Sequence, residues 1–387
     1  MIEKKRIYLD NAATTPVAQE VVKAMLPYFS ENFGNASSIN KEGQDARRAI
    51  EDSRRGIAGF INARADEIIF TGSGTESNNT VIKGLAFSEL GKEKNHIITS
   101  KIEHHAILEP CEFLEKKGFK VTYVPVDNEG LVNVKDIEKS ITQRTLLVSI
   151  MHTNNEIGTI QPIEEIGKIC KKKNVLFHSD AVQSFGKLPI DVGRMNIDFL
   201  SASAHKIYGS KGVGLLYIRK GIQIEPLLHG GGHEFGLRSS TENTAGIVGF
   251  AKAVEICQRE MKPEAKRLTA LRDYLIKEML KIPNTKLNGH PIKRLYNNTN
   301  FSFFGIEGES LIMHLDMQGI AGSTGSACST KSLKPSHVLT AIGLPHVQAH
   351  GSLRLTLGRS STKEEIDYTI KNVREIVENL RKISPIK

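Results

Sequence analysis

Two residues near the middle of this 387-residue chain could do chemistry together. Asp180 stands in His178-Ser179-Asp180-Ala181-Val182-Gln183, and Lys206 ends the run Ser201-Ala202-Ser203-Ala204-His205-Lys206. Each run follows a short apolar stretch that reads as a buried strand: Val175-Leu176-Phe177 for the first, Ile197-Asp198-Phe199-Leu200 for the second. In an alternating α/β pattern, ligands gather at the carboxyl ends of neighbouring strands, which is where these two side chains fall. A Lys amine forms an imine with an aldehyde. A carboxylate keeps a pyridine nitrogen protonated, so that the ring draws electrons. These are the two protein groups that pyridoxal phosphate requires. Each residue alone also fits a plainer role, so the pair is weighed with what surrounds it.

Four other stretches bear on the same chemistry. Thr71-Gly72-Ser73-Gly74-Thr75-Glu76-Ser77 follows one strand and opens a helix. Its small residues let backbone N–H groups approach an anion at a helix N-terminus. It is neither a P-loop nor G-x-G-x-x-G, which removes the main support for an NTP or dinucleotide. A simple capped strand–turn–helix would look the same. His104-His105 follows the strand at 96–100, and one imidazole there could lie on an aromatic cofactor and move protons. Cys328 sits in Gly322-Ser323-Thr324-Gly325-Ser326-Ala327-Cys328-Ser329, among small polar residues that suit a mobile, exposed loop and a nucleophile. Cys111, Cys170 and Cys257 fall in helical patterns and read as small apolar core residues. Arg354, in Ser352-Leu353-Arg354-Leu355, puts a guanidinium on a strand, suited to gripping a carboxylate or to a structural ion pair. His229 and His233 are four apart, but three glycines separate them, so the helical zinc motif does not apply and no metal site is predicted.

Elements able to hold these groups are legible. Strands are expected at Glu67–Thr71, His96–Ser100, Lys120–Pro125, Thr145–Met151, Val175–Ser179, Asp198–Ser203 and Gly214–Arg219, with helices between them. Seven such strands argue for an α/β fold with a mostly parallel sheet covered on both faces. Gly246 to Leu280 reads as helix interrupted at Pro263. It leads to a smaller α+β part with Asn300–Phe304, a helix at Glu309–Met317 and Ser352–Leu357. Lys363–Arg381 is an amphipathic helix with Ile366, Ile370, Val373, Val377 and Leu380 on one face.

Composition narrows the class. The chain is 39% hydrophobic and 25% charged, as in soluble globular proteins, and no run approaches the ~18 apolar residues of a membrane span. Met1-Ile2-Glu3-Lys4-Lys5-Arg6 leads straight into Ile7-Tyr8-Leu9 without an apolar leader, which points to the cytoplasm. The net charge of +9 is dispersed, its densest run Lys171-Lys172-Lys173 suits a solvated helix end, and there is no Trp. Nothing here reads as a nucleic-acid surface. The charge suits an anionic cofactor.

With these residues in view, the chain resembles the cysteine desulfurases of the NifS/IscS type, pyridoxal phosphate enzymes of fold type I. The resemblance runs from Tyr8-Leu9-Asp10-Asn11-Ala12-Ala13-Thr14-Thr15-Pro16 to the last helix. It is carried by Gly74-Thr75-Glu76-Ser77-Asn78-Asn79, Glu103-His104, Asn154-Asn155-Glu156-Ile157-Gly158, Asp180-Ala181-Val182-Gln183-Ser184, His205-Lys206-Ile207-Tyr208-Gly209, His229-Gly230-Gly231-Gly232-His233-Glu234 and Gly325-Ser326-Ala327-Cys328-Ser329.

The resemblance implies a large pyridoxal phosphate domain over 15–260. A small domain would be built from 1–14 and 261–387 and carry the mobile Cys loop at about 322–335. It implies that Lys206 binds the cofactor aldehyde and moves the α-proton, that Asp180 pairs the pyridine nitrogen and Gln183 the ring hydroxyl, and that His104 stacks on the ring. Gly74, Thr75, Ser203 and His205 would bind the phosphate, with Thr241 reaching in from the partner of a homodimer. Asn155 and Arg354 would hold the carboxylate of L-cysteine. Cys328 would take its sulfur as a persulfide, leaving alanine, and pass it to an iron–sulfur scaffold protein or another acceptor such as a tRNA-thiolation pathway.

The chain departs from the family pattern at Asn35-Ala36-Ser37-Ser38, Asn40 and Ser240, none of them a catalytic group. It ends at Ser384-Pro385-Ile386-Lys387, short of the tail that some members use to dock a scaffold, which leaves the acceptor open. A selenocysteine lyase or an aminotransferase shares the cofactor, but an aminotransferase needs no thiol at 328. A sulfur-trafficking partner without catalysis would not need Lys206, Asp180, His104 and Cys328 together.

Overall fold

The computed structural model describes residues 6–325 and 335–384. Its strands are β1 (Ile7–Tyr8), β2 (Ile68–Thr71), β3 (His96–Ser100), β4 (Lys120–Val124), β5 (Thr145–Ser149), β6 (Leu176–Asp180), β7 (Phe199–Ser203), β8 (Gly214–Ile218), β9 (Thr285–Leu287), β10 (Asn298–Phe303), β11 (Ile320–Ala321) and β12 (Ser352–Thr356). Seven of them form one sheet in the order β2-β8-β7-β6-β5-β3-β4. β3 to β7 run parallel, and β8 lies antiparallel to β2 and β7.

The apolar runs that marked these strands lack alternation because both faces are covered. Every residue of β2, β3, β5, β7 and β8 is buried. β6 is buried but for the half-buried Leu176, and the edge strand β4 keeps exposed and half-buried positions, starting with Lys120. One face packs against the helix Lys41–Phe60 and the first half of the helix Thr244–Met279, around Ile57, Phe185 and Phe250. The other face takes the helices Gly74–Phe87 and His105–Glu115 through Val81, Leu85 and Ile107.

A second, three-stranded antiparallel sheet has the order β12-β10-β9. It is covered by the helices Gly308–Met317 and Lys363–Ile383, with Leu275, Phe301, Leu355 and Val373 in its core. Thr362 and Glu365 form a capping box at the start of the last helix, and its apolar stripe is buried as the spacing predicts. β1 and β11 pair in parallel beside this sheet, Ile7 opposite Ile320.

The break expected at Pro263 does not occur. The helix Thr244–Met279 continues through it. Proline cannot donate to the carbonyl of Arg259 and costs about 3 kcal/mol inside a helix. Phe250, Val254 and Cys257 are buried in the first core, however, and Leu268, Leu275 and Met279 in the second. Each large apolar side chain so buried contributes about 1.5–3 kcal/mol, so burial on both sides of the proline outweighs the lost bond.

Candidate active site

The floor of the site is the carboxyl end of the large sheet. β6 and β7 are neighbours, with Asp180 paired in register with Ser201, so the ends of both strands open at one level. Asp180 is buried and accepts from Asn78 Nδ2 at 2.7 Å and from the Val182 N–H at 2.9 Å. Asn78 lies one turn into the helix Gly74–Phe87, whose cap is Ser73, with Oγ accepting from the Glu76 N–H at 3.1 Å. A β-carbon at Gly74 would stand 2.5 Å from Val182 Cγ2, so only glycine lets this helix begin so close to the exit of β6. The open N–H groups of the first turn are a cradle for an anion.

Lys206 ends the short turn Ala204–Lys206 that leaves β7. Its Nζ donates to the carbonyls of Ala12 and Ala13, the latter at 2.8 Å. Gln183 Nε2 donates to the same Ala12 carbonyl at 3.0 Å. Thr15 is fixed on His205, its N–H and Oγ1 donating to the His205 carbonyl at 3.0 and 2.8 Å. The His205 ring meets Thr14 Oγ1 at 3.1 Å. Burial, together with the positive Lys206, Lys211 and Lys187, pushes His205 down to about 4, so it is neutral at pH 7.

His104 caps the helix His105–Glu115, its Nδ1 accepting from the Ala106 N–H at 3.1 Å. That bond assigns the ring proton to Nε2. Burial lowers its pKa against the opposing pull of Asp180, and Lys206 and His105 lower it further. Behind it Glu103 is fully buried, accepting from Ser100 Oγ at 2.6 Å and from the Met151 N–H with both oxygens. Burial pushes this carboxyl up to about 8, with Asp180 adding to the rise against its donors.

The facing wall comes from the small sheet. Arg354 on β12 is buried and ion-paired to Asp10, Nη2 to Oδ1 at 2.9 Å, while Nη1 donates to the Asn155 carbonyl at 3.1 Å. Its Nε has no partner among the described residues. Glu156 accepts from Ser336 Oγ at 2.5 Å, and its main-chain carbonyl accepts from Asn300 Nδ2 at 3.1 Å. Burial pushes the Glu156 carboxyl up to about 7 against the pull of Ser336 and Arg354. His337 Nε2 donates to the Glu103 carbonyl, 2.9 Å away, which assigns the ring proton to Nε2.

These walls enclose a cavity of about 400 Å³. Every expected site residue borders it except two. Thr241 is exposed and lies outside the cavity, and Cys328 lies outside the described residues. The cavity also draws in Asn78, Glu156 and His337, for which no role was expected. Asn78 could have been found by its spacing, one helical turn past the glycine cradle. Glu156 stood next to Asn155 in a quoted motif, and nothing in its type distinguishes a buried carboxyl from a solvated one. The donor set fits pyridoxal phosphate: one amine, a doubly hydrogen-bonded carboxylate, a neutral imidazole and a helix N-terminus face a single space. Besides Arg354 Nε, two buried polar atoms of its lining, Asn78 Oδ1 and Thr153 Oγ1, lack partners among the described residues.

Comparison with known proteins agrees with this geometry. The Aminotransferase class-V family model matches residues 7–369. A cysteine desulfurase IscS of Dictyoglomus turgidum is 56% identical over 385 residues, covering 99% of this chain and 98% of the relative. One from Methanosarcina thermophila is 55% identical over 384 residues, covering 99% and 95%. A solved NifS-like protein superposes with a TM-score of 0.92 at 42% identity, over 97% of this chain and all of the other. The structure of SspA in complex with cysteine gives 0.81 at 41%, over 91% and 99%. A seven-stranded, mostly parallel sheet with a lysine-bordered cavity at its carboxyl edge, matched along nearly its whole length, makes this chain a member of the class-V aminotransferase family, in its cysteine desulfurase branch.

Proposed function

We propose that this cavity takes the sulfur from L-cysteine, leaving L-alanine and a persulfide on Cys328, and that the sulfur then passes to an iron–sulfur scaffold protein or another acceptor. The observation that carries this reading is the meeting of Lys206, Asp180, His104 and Arg354 around one cavity. Pyridoxal phosphate, when bound, supplies an aldehyde that captures the substrate amine and a ring that withdraws electrons from the substrate carbons. Asp180, held by Asn78 and Val182, keeps the pyridine nitrogen protonated. Gln183 binds the ring hydroxyl and His104 contacts the ring, its Nε2 carrying a proton. Gly74 and Thr75, at the helix start, bind the phosphate together with Ser203 and His205. Lys206 Nζ binds the aldehyde and then holds and returns the substrate α-proton. Arg354 and Asn155 bind the substrate carboxylate.

The thiolate of Cys328 attacks the substrate sulfur. An S–S bond forms, the C–S bond breaks, and its electron pair goes to the β-carbon, which takes a proton to become the methyl group of alanine. The other cysteines are poor candidates. Cys111, Cys170 and Cys257 are buried, and burial pushes their thiols up to about 12, 12 and 11, so they stay protonated at neutral pH.

Thr241 serves the cavity of a second copy. Supporting this, it is exposed on its own chain, and Leu26, Phe29, Phe33, Ile39 and Phe235 form apolar surface open to solvent at 56%, 65%, 70%, 93% and 58%. No described helix is long and apolar enough to cross a membrane, and the working compartment in this reading is the cytoplasm.

Mass spectrometry after a single turnover tests the assignment. Cys328→Ser should keep its cofactor and bind cysteine yet form no persulfide, while Ala at each of the other three cysteines leaves transfer intact. Persulfide on one of those three, or full activity in Cys328→Ser, overturns it.

A further inference from the structure

Glu156 has no part in the chemistry above, yet its carboxyl is buried at the cavity wall. Two stretches of chain meet on it. Ser336 donates to Oε2 at 2.5 Å, and the same hydroxyl accepts from the N–H groups of Val338 and Leu339 at 3.1 and 3.2 Å. A β-carbon on Gly325 would lie 2.7 Å from that same Oε2, so the backbone at Gly325 is drawn against the carboxyl as closely as glycine allows. Gly325 is tied from its other side, its N–H donating to Ser352 Oγ at 3.3 Å. The carboxyl itself is held in place: its main-chain N–H donates to Asn154 Oδ1 at 2.9 Å and its carbonyl accepts from Asn298 and Asn300 on β10. Gly325 and Ser336 are the two points from which the chain departs to Cys328 and to which it returns.

We infer that Glu156 is a positioning residue for sulfur transfer: its carboxyl accepts from Ser336 and packs against Gly325 at the cavity wall, and so holds in register the two described ends of the segment that carries Cys328. This rests on the reading of Cys328 as the sulfur acceptor. The tie is local and strong for its size, since the carboxyl is desolvated and its single hydroxyl donor is itself fixed by a helix end. It stands beside Arg354, so the grip on the substrate carboxylate and the tether of the thiol share one wall.

The experiment measures the rate at which iodoacetamide alkylates Cys328 in the holoenzyme, read by peptide mass spectrometry, alongside the cofactor absorbance. The three buried cysteines provide slow internal references. Glu156→Ala should change the alkylation rate of Cys328 by about tenfold, the usual weight of a hydrogen bond to a charged group, with the cofactor band unaltered. Glu156→Gln, which still accepts from Ser336, should stay within about threefold of the parent. Gly325→Ala supplies a second arm. Its methyl group meets Oε2, so it should disturb the parent but have little effect in the Glu156→Ala background, where the remaining neighbours, Leu339 Cδ1 at 3.3 Å and Ser336 Cβ at 3.4 Å, stand near ordinary packing distance. An unchanged alkylation rate in Glu156→Ala, Gln behaving like Ala, or Gly325→Ala acting equally in both backgrounds would each overturn the inference. These outcomes are independent of whether Cys328 carries the persulfide, which the single-turnover analysis decides.

Discussion

The floor of the cavity and its facing wall are finished differently. On the floor, both oxygens of Asp180 have donors, and Lys206 and Gln183 rest on the carbonyls of Ala12 and Ala13. On the wall, Arg354 spends two nitrogens on Asp10 and Asn155 and keeps a buried Nε without a partner among the described residues. A buried donor left unmade costs about 1–3 kcal/mol, so it persists where a ligand offsets that cost. The difference separates two tasks. In the proposed reading, the carboxylate and amine that would hold the cofactor are satisfied by the chain itself, and the guanidinium that would meet the substrate keeps a bond in reserve.

Substitutions on the two sides should therefore fail in different ways. Lys206→Ala removes the one described amine bordering the floor and should abolish alanine formation from L-cysteine. Turnover within a few-fold of the parent would dissolve the distinction at its strongest point. Asp180→Asn keeps the shape of the floor but not its charge. Its rate should fall about a hundredfold with a modest loss of cofactor, seen by comparing kcat with bound cofactor.

Arg354→Lys acts on the wall. An ammonium cannot reproduce a planar two-bond grip, and the loss of about 1.5–3 kcal/mol should appear as a KM raised about ten- to a hundredfold with kcat nearly kept. A fall in kcat at unchanged KM would move Arg354 to the floor's task. The smallest effect is on stability. His152, His178 and His205 are pushed by burial down to about 4, 3 and 4. Between their unfolded value near 6.5 and these depressed values, the unfolded chain binds more protons than the folded one, so stability is full above pH 6.5 and falls toward pH 4. Urea unfolding at pH 7.5 and pH 5 should show the loss, and equal midpoints would mean that these imidazoles charge without unfolding.

Much of the large sheet was legible because its signal is local. Val175-Leu176-Phe177 and Ile197-Asp198-Phe199-Leu200 mark β6 and β7 by composition alone, and Asp180 and Lys206 follow them directly. The first turn at Gly74 was readable for the same reason. What stayed hidden depends on atoms without a residue signature or on partners far along the chain. The carbonyls of Ala12 and Ala13, which accept from a residue more than 190 positions away, could belong to any residue type. Arg354 was read as a clamp or an ion pair, and it is paired to Asp10 while retaining a spare donor, a combination only the fold can present. Pro263 misled because its local penalty is real, and the burial that outweighs it comes from two separate cores.

The strand–turn segment from Ile7 to Thr15 has a consequence for how the molecule comes into being. It is synthesised before the strands it pairs with, yet Ile7 pairs with Ile320, and the Ala12 N–H and the Asn11 side chain bond to Thr356 at 2.9 and 2.8 Å. Contacts this distant in sequence form late and slow the search for the native state. A nascent chain that has completed the seven-stranded sheet still lacks the residues that seat its own beginning against Lys206. Cofactor capture in its mature form therefore waits for the last strand, and a stalled or truncated product ending before Thr356 should fold its large sheet and remain colourless.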